Sequence, residues 1–112
     1  MNFLSLFKRN LIFRLKKKIS IDNDNIISES LDYLFQEYGS DKANIFKYNQ
    51  QPGHGYSIYY EKKLEAYKNK NLNILEIGSY AGASAAAFTK YFPQSKVYCF
   101  DVNISNFKYE SE

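Results

Sequence analysis

Apolar residues recur at helical spacing in the first part of the chain. Between residues 3 and 15 they return every four positions and predict one face of an amphipathic helix; they are Phe3, Phe7, Leu11 and Leu15. A second set follows the i, i+4, i+7, i+8, i+11 pattern and predicts a helix over 26–38. Its members are Ile27, Leu31, Leu34, Phe35 and Tyr38. Gly39 stands where a left-handed residue would end this helix.

Polar and glycine-bearing segments separate the predicted helices. Residues 20–25 form a polar connector, and four of its side chains can cap the helix that follows; these are Asp22, Asn23, Asp24 and Asn25. Helix-breaking residues indicate an ordered loop over 39–55; they are Gly39, Pro52, Gly53 and Gly55. A third helix is predicted over about 56–69, with an apolar face made of Ile58, Tyr60, Leu64 and Tyr67.

The pattern changes after Leu72 to one that is typical of a βαβ unit. Residues 73–77 are a short apolar run that ends at Gly78, as expected of a parallel strand buried on both faces. Residues 83–91 are rich in alanine and predict a helix that lies close against a sheet. Residues 96–100 predict a second strand, which the right-handed crossover makes parallel to the first.

Length and composition indicate one globular domain. The chain has 112 residues, of which 45% are hydrophobic and 24% charged, and no stretch approaches the roughly 20 apolar residues of a membrane span. The single cysteine, Cys99, excludes an intramolecular disulfide and fits a reducing compartment. We therefore expect a cytoplasmic protein in which Cys99 is a small buried residue of the second strand.

Basic residues are concentrated at the amino terminus. The first 18 residues carry six basic side chains and no acid, whereas the remainder has nine basic and twelve acidic residues. This distribution argues against nucleic acid binding over the whole surface. For the arm itself, the pattern favours a terminal helix that is frayed or docked on the core, and contact of residues 1–18 with an anionic membrane surface is the alternative.

Acidic and glycine residues lie at the ends of the two predicted strands, at the edge where ligands bind in such sheets. Asp101 ends the second strand, where a carboxylate can accept hydrogen bonds from two ribose hydroxyls. Gly78 and Gly82 let backbone approach a ligand, and the start of the helix can hold a carboxylate. Glu76 can offset an ammonium group.

These groups suit S-adenosylmethionine better than a dinucleotide. A nucleoside that carries both an ammonium and a carboxylate is complementary to the acids and to the helix start. A dinucleotide fingerprint needs glycine at the third and sixth positions of the loop, where this chain has Tyr80 and Ala83. Binding of NAD by an oxidoreductase is therefore the less favoured alternative.

The segment Leu75-Glu76-Ile77-Gly78-Ser79-Tyr80-Ala81-Gly82-Ala83-Ser84 resembles the first motif of class I S-adenosylmethionine-dependent methyltransferases. A closer resemblance, over about 38–102, is to the macrolide sugar O-methyltransferase group. It rests on this motif and on Tyr38-Gly39-Ser40-Asp41-Lys42, His54-Gly55-Tyr56 with Tyr60-Glu61, and Tyr91-Phe92-Pro93. The resemblance implies a doubly wound α/β sheet and methylation of a sugar hydroxyl assisted by a divalent metal such as Mg²⁺. The chain departs from that family in a shorter loop, and the metal carboxylates would lie beyond Glu112.

The resemblance adds candidate residues, each with a simpler alternative. It implies that Ser79 and Tyr80 line the cofactor site and that Asp41 and Lys42 contact the methionine end, although these two can equally form a local ion pair. His54 is a candidate general base or a histidine that is only hydrogen-bonded in its loop. Tyr56 and Tyr60 are expected to pack rather than to bind, and Glu76 and Asp101 can also be caps at strand ends.

Length limits how much of a doubly wound sheet this chain can form. Only 41 residues run from Leu72 to Glu112, whereas such a sheet needs well over roughly 100 at about 30 residues per repeat. We expect residues 1–25 to be a basic arm and linker and 26–112 to be the amino-terminal part of a methyltransferase domain, with a helical lead-in over 26–70 and a cofactor-binding unit over 72–102. An inactive cofactor-binding or partner-docking fragment is the second hypothesis. The sequence leaves the oligomeric state open.

Overall fold

Helices and short strands alternate in the computed structural model, which describes residues 3–15, 17–27 and 30–112. The α-helices within these ranges are α1 (Phe3–Leu15), α2 (Leu31–Tyr38), α3 (Ser57–Leu64) and α4 (Ala83–Tyr91). The strands are β1 (Ile19–Ser20), β2 (Ile45–Phe46), β3 (Gln51–Pro52), β4 (Asn73–Ile77), β5 (Lys96–Phe100) and β6 (Tyr109–Glu110). Single 3-10 turns lie at Glu65–Tyr67 and Ile104–Asn106. The protein is therefore a mixed α/β structure.

The strands form three separate pairs. β4 pairs with β5 in parallel, with Asn73 opposite Lys96 and Ile77 opposite Phe100. β1 pairs in parallel with β6, and β2 forms an antiparallel hairpin with β3. The parallel βαβ unit predicted from the sequence is confirmed, and its two strands and helix have the predicted bounds. The pairing of β1 with β6 was not predicted, because a two-residue strand leaves no periodic signal.

The core lies where α2 packs against α4. Leu34, Phe35 and Ala87 are completely buried, and the Phe35 and Phe88 rings meet edge to face with centroids 5.4 Å apart. The alanines of α4 leave room for this close approach, since their side chains end at Cβ. Aromatic rings fill the space around them, as expected for a dense core.

Helix α2 starts later than the predicted residue 26. Ser30 caps it by accepting the Tyr33 N–H at 3.3 Å, and Ile27 lies outside the helix with 89% of its surface exposed. The predicted end is confirmed, because Gly39 adopts the left-handed conformation with φ of 77°.

The capping role predicted for the connector residues is wrong, and Asp24 has a different one. Its carboxylate accepts the Ile26 N–H at 3.1 Å and the Tyr38 hydroxyl at 2.6 Å, and it forms an ion pair with Lys90 at 3.0 Å. Burial, together with the hydrogen bond to Asp24, raises the pKa of Tyr38. Asp24 thus ties the connector to α2 and α4.

Helix α3 is shorter than predicted and buries only part of the expected face. Tyr60 and Leu64 pack against the core, and the Tyr60 ring lies 6.0 Å from that of Phe35. Ile58 is exposed because it lies two residues before Tyr60 and therefore on nearly the opposite side of the helix, and Tyr67 is exposed in the 3-10 turn that follows Leu64.

The sheet formed by β4 and β5 is covered on one face only. Four apolar side chains point away from α4 and are more than half exposed; they are Leu75, Ile77, Tyr98 and Phe100. The expectation of strands buried on both faces is therefore wrong for the described chain. Cys99 is exposed as well, in contrast to its predicted burial. It borders a cavity of about 190 Å³ beside Gly82, Ala85 and Ala86, whose small side chains leave that space unfilled.

Helix α1 forms as predicted, but its apolar face is not docked on the core. Phe3, Phe7, Leu11 and Leu15 are all exposed. The helix contacts the body at the 3-10 turn Ile104–Asn106. No helix in the described part of the chain is long and apolar enough to cross a lipid bilayer.

The close packing of α4 predicts a strong response to overpacking. Ala87→Leu adds volume at a position with no free surface and should lower the free energy of unfolding by about 1 to 3 kcal/mol. Urea unfolding followed by circular dichroism measures this change. Ala66→Leu, at an exposed position, is the matched control and should stay within about 0.5 kcal/mol of the parent. Equal stability of the two variants would contradict the proposed packing.

Candidate functional site

A left-handed loop connects β4 to α4. Gly78, Tyr80 and Gly82 all have positive φ angles, of 80°, 51° and 79°. The Gly78 N–H donates to the Phe100 carbonyl at 2.8 Å, so the loop begins as an extension of the sheet. A Cβ at Gly78 would meet no atom within 4 Å, which leaves the backbone open to a ligand. Contact of a ligand with Gly78, expected from the sequence, stays a prediction.

Asp101 connects the tip of β5 to this loop. One carboxylate oxygen accepts the Tyr80 N–H at 2.7 Å and the other accepts the Asn103 N–H at 3.0 Å. The hydrogen bonds from Asn103 and from Tyr80 hold the pKa of Asp101 below its ordinary value. The tips of β4 and β5 are thereby joined through a charged acceptor. Each oxygen keeps a further lone pair, so contact with ribose hydroxyls remains a prediction.

Glu76 lies in a polar cluster beneath the loop. Its Oε1 accepts the Ser84 hydroxyl and lies 3.7 Å from the Lys42 Nζ, which in turn donates to the Ser84 hydroxyl at 3.2 Å. Its Oε2 is buried and receives no hydrogen bond from the part of the chain that the structure describes. Buried carboxylate oxygens without a donor are rare because desolvation is then uncompensated. Glu76 therefore retains capacity for one more donor.

Two adjoining cavities meet at Lys42. The smaller, of about 160 Å³, lies between residues 39–42 and the glycine loop and is lined also by Ser84. The larger, of about 470 Å³, is mostly apolar and runs along β4 past Glu76 to Tyr60 and Phe92. Since small-molecule sites usually occupy roughly 300–1,000 Å³, the smaller cavity alone is too small for a nucleoside. The larger cavity lies within this range, and a ligand in it that also contacted the glycine loop would extend past Lys42 into the smaller one.

The structure brings six of the candidate residues together around the two cavities and leaves Gly82, Asp101 and His54 outside them. Asp41, Lys42, Gly78, Ser79 and Tyr80 border the smaller cavity. Glu76 borders the larger one. Gly82 faces the opposite side, where a Cβ on this residue would lie 3.3 Å from the Phe107 ring. Asp101 is hydrogen-bonded to the loop from the strand tip.

His54 lies in the loop and borders neither of these two cavities. It is half exposed, stacks on Tyr56 with ring centroids 5.2 Å apart, and has its Nε2 3.6 Å from Asp41. Its backbone N–H donates to the Asp41 carbonyl at 2.6 Å. His54 therefore reaches the smaller cavity only through Asp41.

Two residues at the site were not predicted from the sequence. Ser84 stands between Lys42 and Glu76, and its place two residues after Gly82 in the motif was a signal that could have found it. Asn10 of α1 accepts a hydrogen bond from the Tyr80 hydroxyl, which brings the amino-terminal helix to the edge of the loop. Nothing in the sequence indicates this contact, because 70 residues separate the two positions.

Comparisons of the chain with protein-family models, with curated proteins and with solved structures give no match. Among the described residues there is also no group of three or more His, Cys, Asp or Glu side chains that could hold a metal ion.

The connection between Asp101 and the loop predicts a shared titration. The amide signals of Tyr80 and Asn103 should shift together as the carboxylate is protonated, with a midpoint below the ordinary value of 3.8. Because the pKa of the carboxylate is lowered, the connection is present above that midpoint and is lost as pH falls through it. Two-dimensional NMR measures both amides, and Asp101→Asn should abolish their common titration. Independent midpoints for the two amides would exclude the shared acceptor.

Proposed function

We propose that the chain is the cofactor-binding part of an S-adenosylmethionine-dependent methyltransferase that acts on a hydroxyl of a sugar or another small acceptor. One observation carries the proposal. The buried Oε2 of Glu76 lacks a hydrogen-bond donor from the described residues and lies beneath a glycine loop that is open to a ligand. An arriving ammonium group would supply the missing donor, and a carboxylate is its natural partner.

The charges beside the loop match an amino acid group. Lys42 and Glu76 carry opposite charges 3.7 Å apart, both largely buried. An α-amino acid brings an ammonium and a carboxylate of its own, so each side chain can exchange its present partner for one from the ligand. Glu76 would then bind the ammonium, and Lys42 the carboxylate. The N–H groups of the first turn of α4, which have no partner within the helix, would add to the binding of the carboxylate.

The adenosyl part of the ligand fits the hydrogen-bonding groups at the carboxyl end of β5. Asp101 keeps acceptor capacity beyond its two backbone hydrogen bonds and is placed at the end of β5, where such sheets bind ribose. A carboxylate at this position disfavours a 2′-phosphate by charge repulsion. Tyr80 occupies the loop position at which pyrophosphate needs a glycine, so a dinucleotide is the less suitable ligand.

Methyl transfer requires positioning and removal of one proton. The sulfonium supplies an electrophilic methyl group: a carbon–oxygen bond forms to the acceptor hydroxyl as the carbon–sulfur bond breaks, and the hydroxyl proton passes to a base. His54 is the candidate base, with Asp41 3.6 Å from its Nε2 to orient the ring. In this proposal the acceptor lies on the side of the loop over residues 39–55.

A doubly wound sheet is the finer fold that we propose for the complete domain. Four apolar side chains of β4 and β5 face solvent, and within the described ranges β4 pairs with β5 alone. Further parallel strands and a second helix layer would cover this face and pair with the open edge.

A cofactor-binding or partner-docking piece without turnover is the second candidate, favoured by the same exposed sheet face. Incubation of the purified chain with methyl-labelled S-adenosylmethionine and a set of sugars distinguishes the two candidates. Labelled product indicates the enzyme, and binding without product indicates the second candidate.

Substitution of Lys42 or Glu76 should weaken binding of the amino acid group of the ligand without affecting binding of the nucleoside. Glu76→Gln and Lys42→Gln should each weaken S-adenosylhomocysteine binding about tenfold, because each removes one charge-assisted hydrogen bond. Binding of 5′-methylthioadenosine, which lacks the amino acid group, should not change. Isothermal titration calorimetry measures both ligands. Glu37→Gln and Lys47→Gln remove the exposed ion pair at 3.9 Å elsewhere and are the matched controls. Equal weakening of both ligands would show that the pair does not bind the amino acid group.

Substitution of Asp101 should weaken the binding of both ligands to the same extent. Asp101→Ala removes the acceptor for the ribose hydroxyls, so we expect about tenfold to hundredfold weaker binding of S-adenosylhomocysteine and of 5′-methylthioadenosine. Asp22→Ala is the matched control, since Asp22 also accepts a backbone N–H, from Glu112 at 2.9 Å, and lies outside the site. Unchanged calorimetric affinity would remove Asp101 from the site. Tighter binding of NAD than of S-adenosylhomocysteine by the parent chain would favour the oxidoreductase alternative.

A further inference from the structure

Helix α1 presents an apolar surface to solvent. Five of its large apolar side chains are between 45% and 82% exposed; they are Phe3, Leu4, Phe7, Leu11 and Leu15. At 3.6 residues per turn, these five positions fall within one arc of about 120°. We call these five residues the apolar arc. Exposure of so many large apolar groups on one helix face indicates a surface that binds something.

The contacts of α1 with the rest of the protein leave this arc uncovered. The helix rests against the 3-10 turn Ile104–Asn106, and Asn10 accepts the Tyr80 hydroxyl. Asn10 and Ile12 are half-buried, and both lie outside the apolar arc. The contacts with Ile104–Asn106 and with Tyr80 therefore hold the helix in an orientation in which the apolar arc faces solvent.

Positive charge lies beside the arc and, at Arg14, within it. Lys8, Arg14, Lys17 and Lys18 are exposed, and the first 18 residues hold six basic side chains and no acid. Lys18 lies 3.6 Å from Glu110, but both side chains are more than half exposed, so this pair is weak. The rest of the chain has an excess of acidic residues, so the positive charge is confined to the arm. The matching surface is negatively charged.

We propose that α1 and the basic residues that follow it bind the surface of a membrane rich in anionic lipid. The apolar arc would enter the boundary between headgroups and acyl chains, and the lysines and arginines would lie among the phosphates. A helix of 13 residues is about 20 Å long and too short for a hydrocarbon core of about 30 Å, so it lies in the plane of the membrane. Phosphates of a nucleic acid would satisfy the charges and leave the apolar arc in water, which favours the lipid. The proposal does not depend on the cofactor site.

Sedimentation of the 112-residue chain with vesicles tests the proposal. Vesicles of equal parts phosphatidylcholine and phosphatidylglycerol should bind the chain, and phosphatidylcholine alone should bind it far less. The double variant Phe7→Gln with Leu11→Gln should bind about tenfold more weakly. The triple variant Lys8→Gln, Lys17→Gln, Lys18→Gln should bind about a hundredfold more weakly, since each charge near an anionic surface contributes.

Matched substitutions on α3 test whether vesicle binding is specific to α1 or arises from any exposed apolar or charged residue. Ile58→Gln removes an equally exposed apolar residue, and the double variant Lys62→Gln with Lys63→Gln removes exposed charge. Neither should change vesicle binding. If these variants lose binding as much as the α1 variants do, the interaction is not specific to α1 and the proposal is wrong.

A fluorescent reporter tests insertion without removing any apolar group. The chain has no tryptophan, so Phe7→Trp introduces a single one into the apolar arc. Its emission should shift to shorter wavelength when anionic vesicles are added, whereas that of Ile58→Trp should not. An unshifted Phe7→Trp spectrum with bound vesicles would overturn insertion of the arc. Displacement of the chain from vesicles by equimolar phosphate of a DNA duplex would instead assign the arm to nucleic acid.

Discussion

The close packing of α4 against α2 and the β4–β5 pair is the constraint on which the rest of the protein depends. Residues 83–88 are all buried, four of them alanines whose short side chains let the helix approach its neighbours. Phe35 and Phe88 fill the interface from the two helices. Because α4 starts directly after the glycine loop, this packing also determines where the loop lies. A change in the core would therefore move the candidate site.

The burial of Lys42 and Glu76 at that site lowers the stability of the folded protein. Lys42 and Glu76 lose most of their hydration, and a buried ion pair repays such a loss only when its remaining hydrogen bonds are satisfied. The Oε2 of Glu76 has no donor from the described chain, so this pair is not optimised for folding. In our proposal, a donor from a ligand accounts for this acceptor beneath the positive-φ loop. The proposed amino acid group would complete the hydrogen bonding of both side chains.

Two exposed apolar surfaces differ in the chemistry around them. The sheet face of β4 and β5 lies beside an open strand edge, so it fits further protein structure. The apolar arc of α1 is accompanied by exposed lysine and arginine side chains, so it fits an anionic lipid surface. The Asn10–Tyr80 contact lies between the second surface and the glycine loop. Membrane contact and cofactor binding would thus occur on adjoining parts of the protein.

The sequence by itself determined the local elements whose signals are strong and short in range. The bounds of β4, α4 and β5 and the left-handed end of α2 at Gly39 follow from apolar runs, alanine content and glycine placement, each read within a few residues. The meeting of strand tips at Gly78 and Asp101 also follows, since parallel strands bring their carboxyl ends to one edge. The tertiary structure alone decided which faces are covered. Ile27 and Leu75 look like core residues by type and spacing, yet both are exposed, because burial depends on which element packs against each face. The Lys42–Ser84 and Asn10–Tyr80 contacts join residues that are 42 and 70 positions apart in the chain, and no local pattern encodes which distant residues meet.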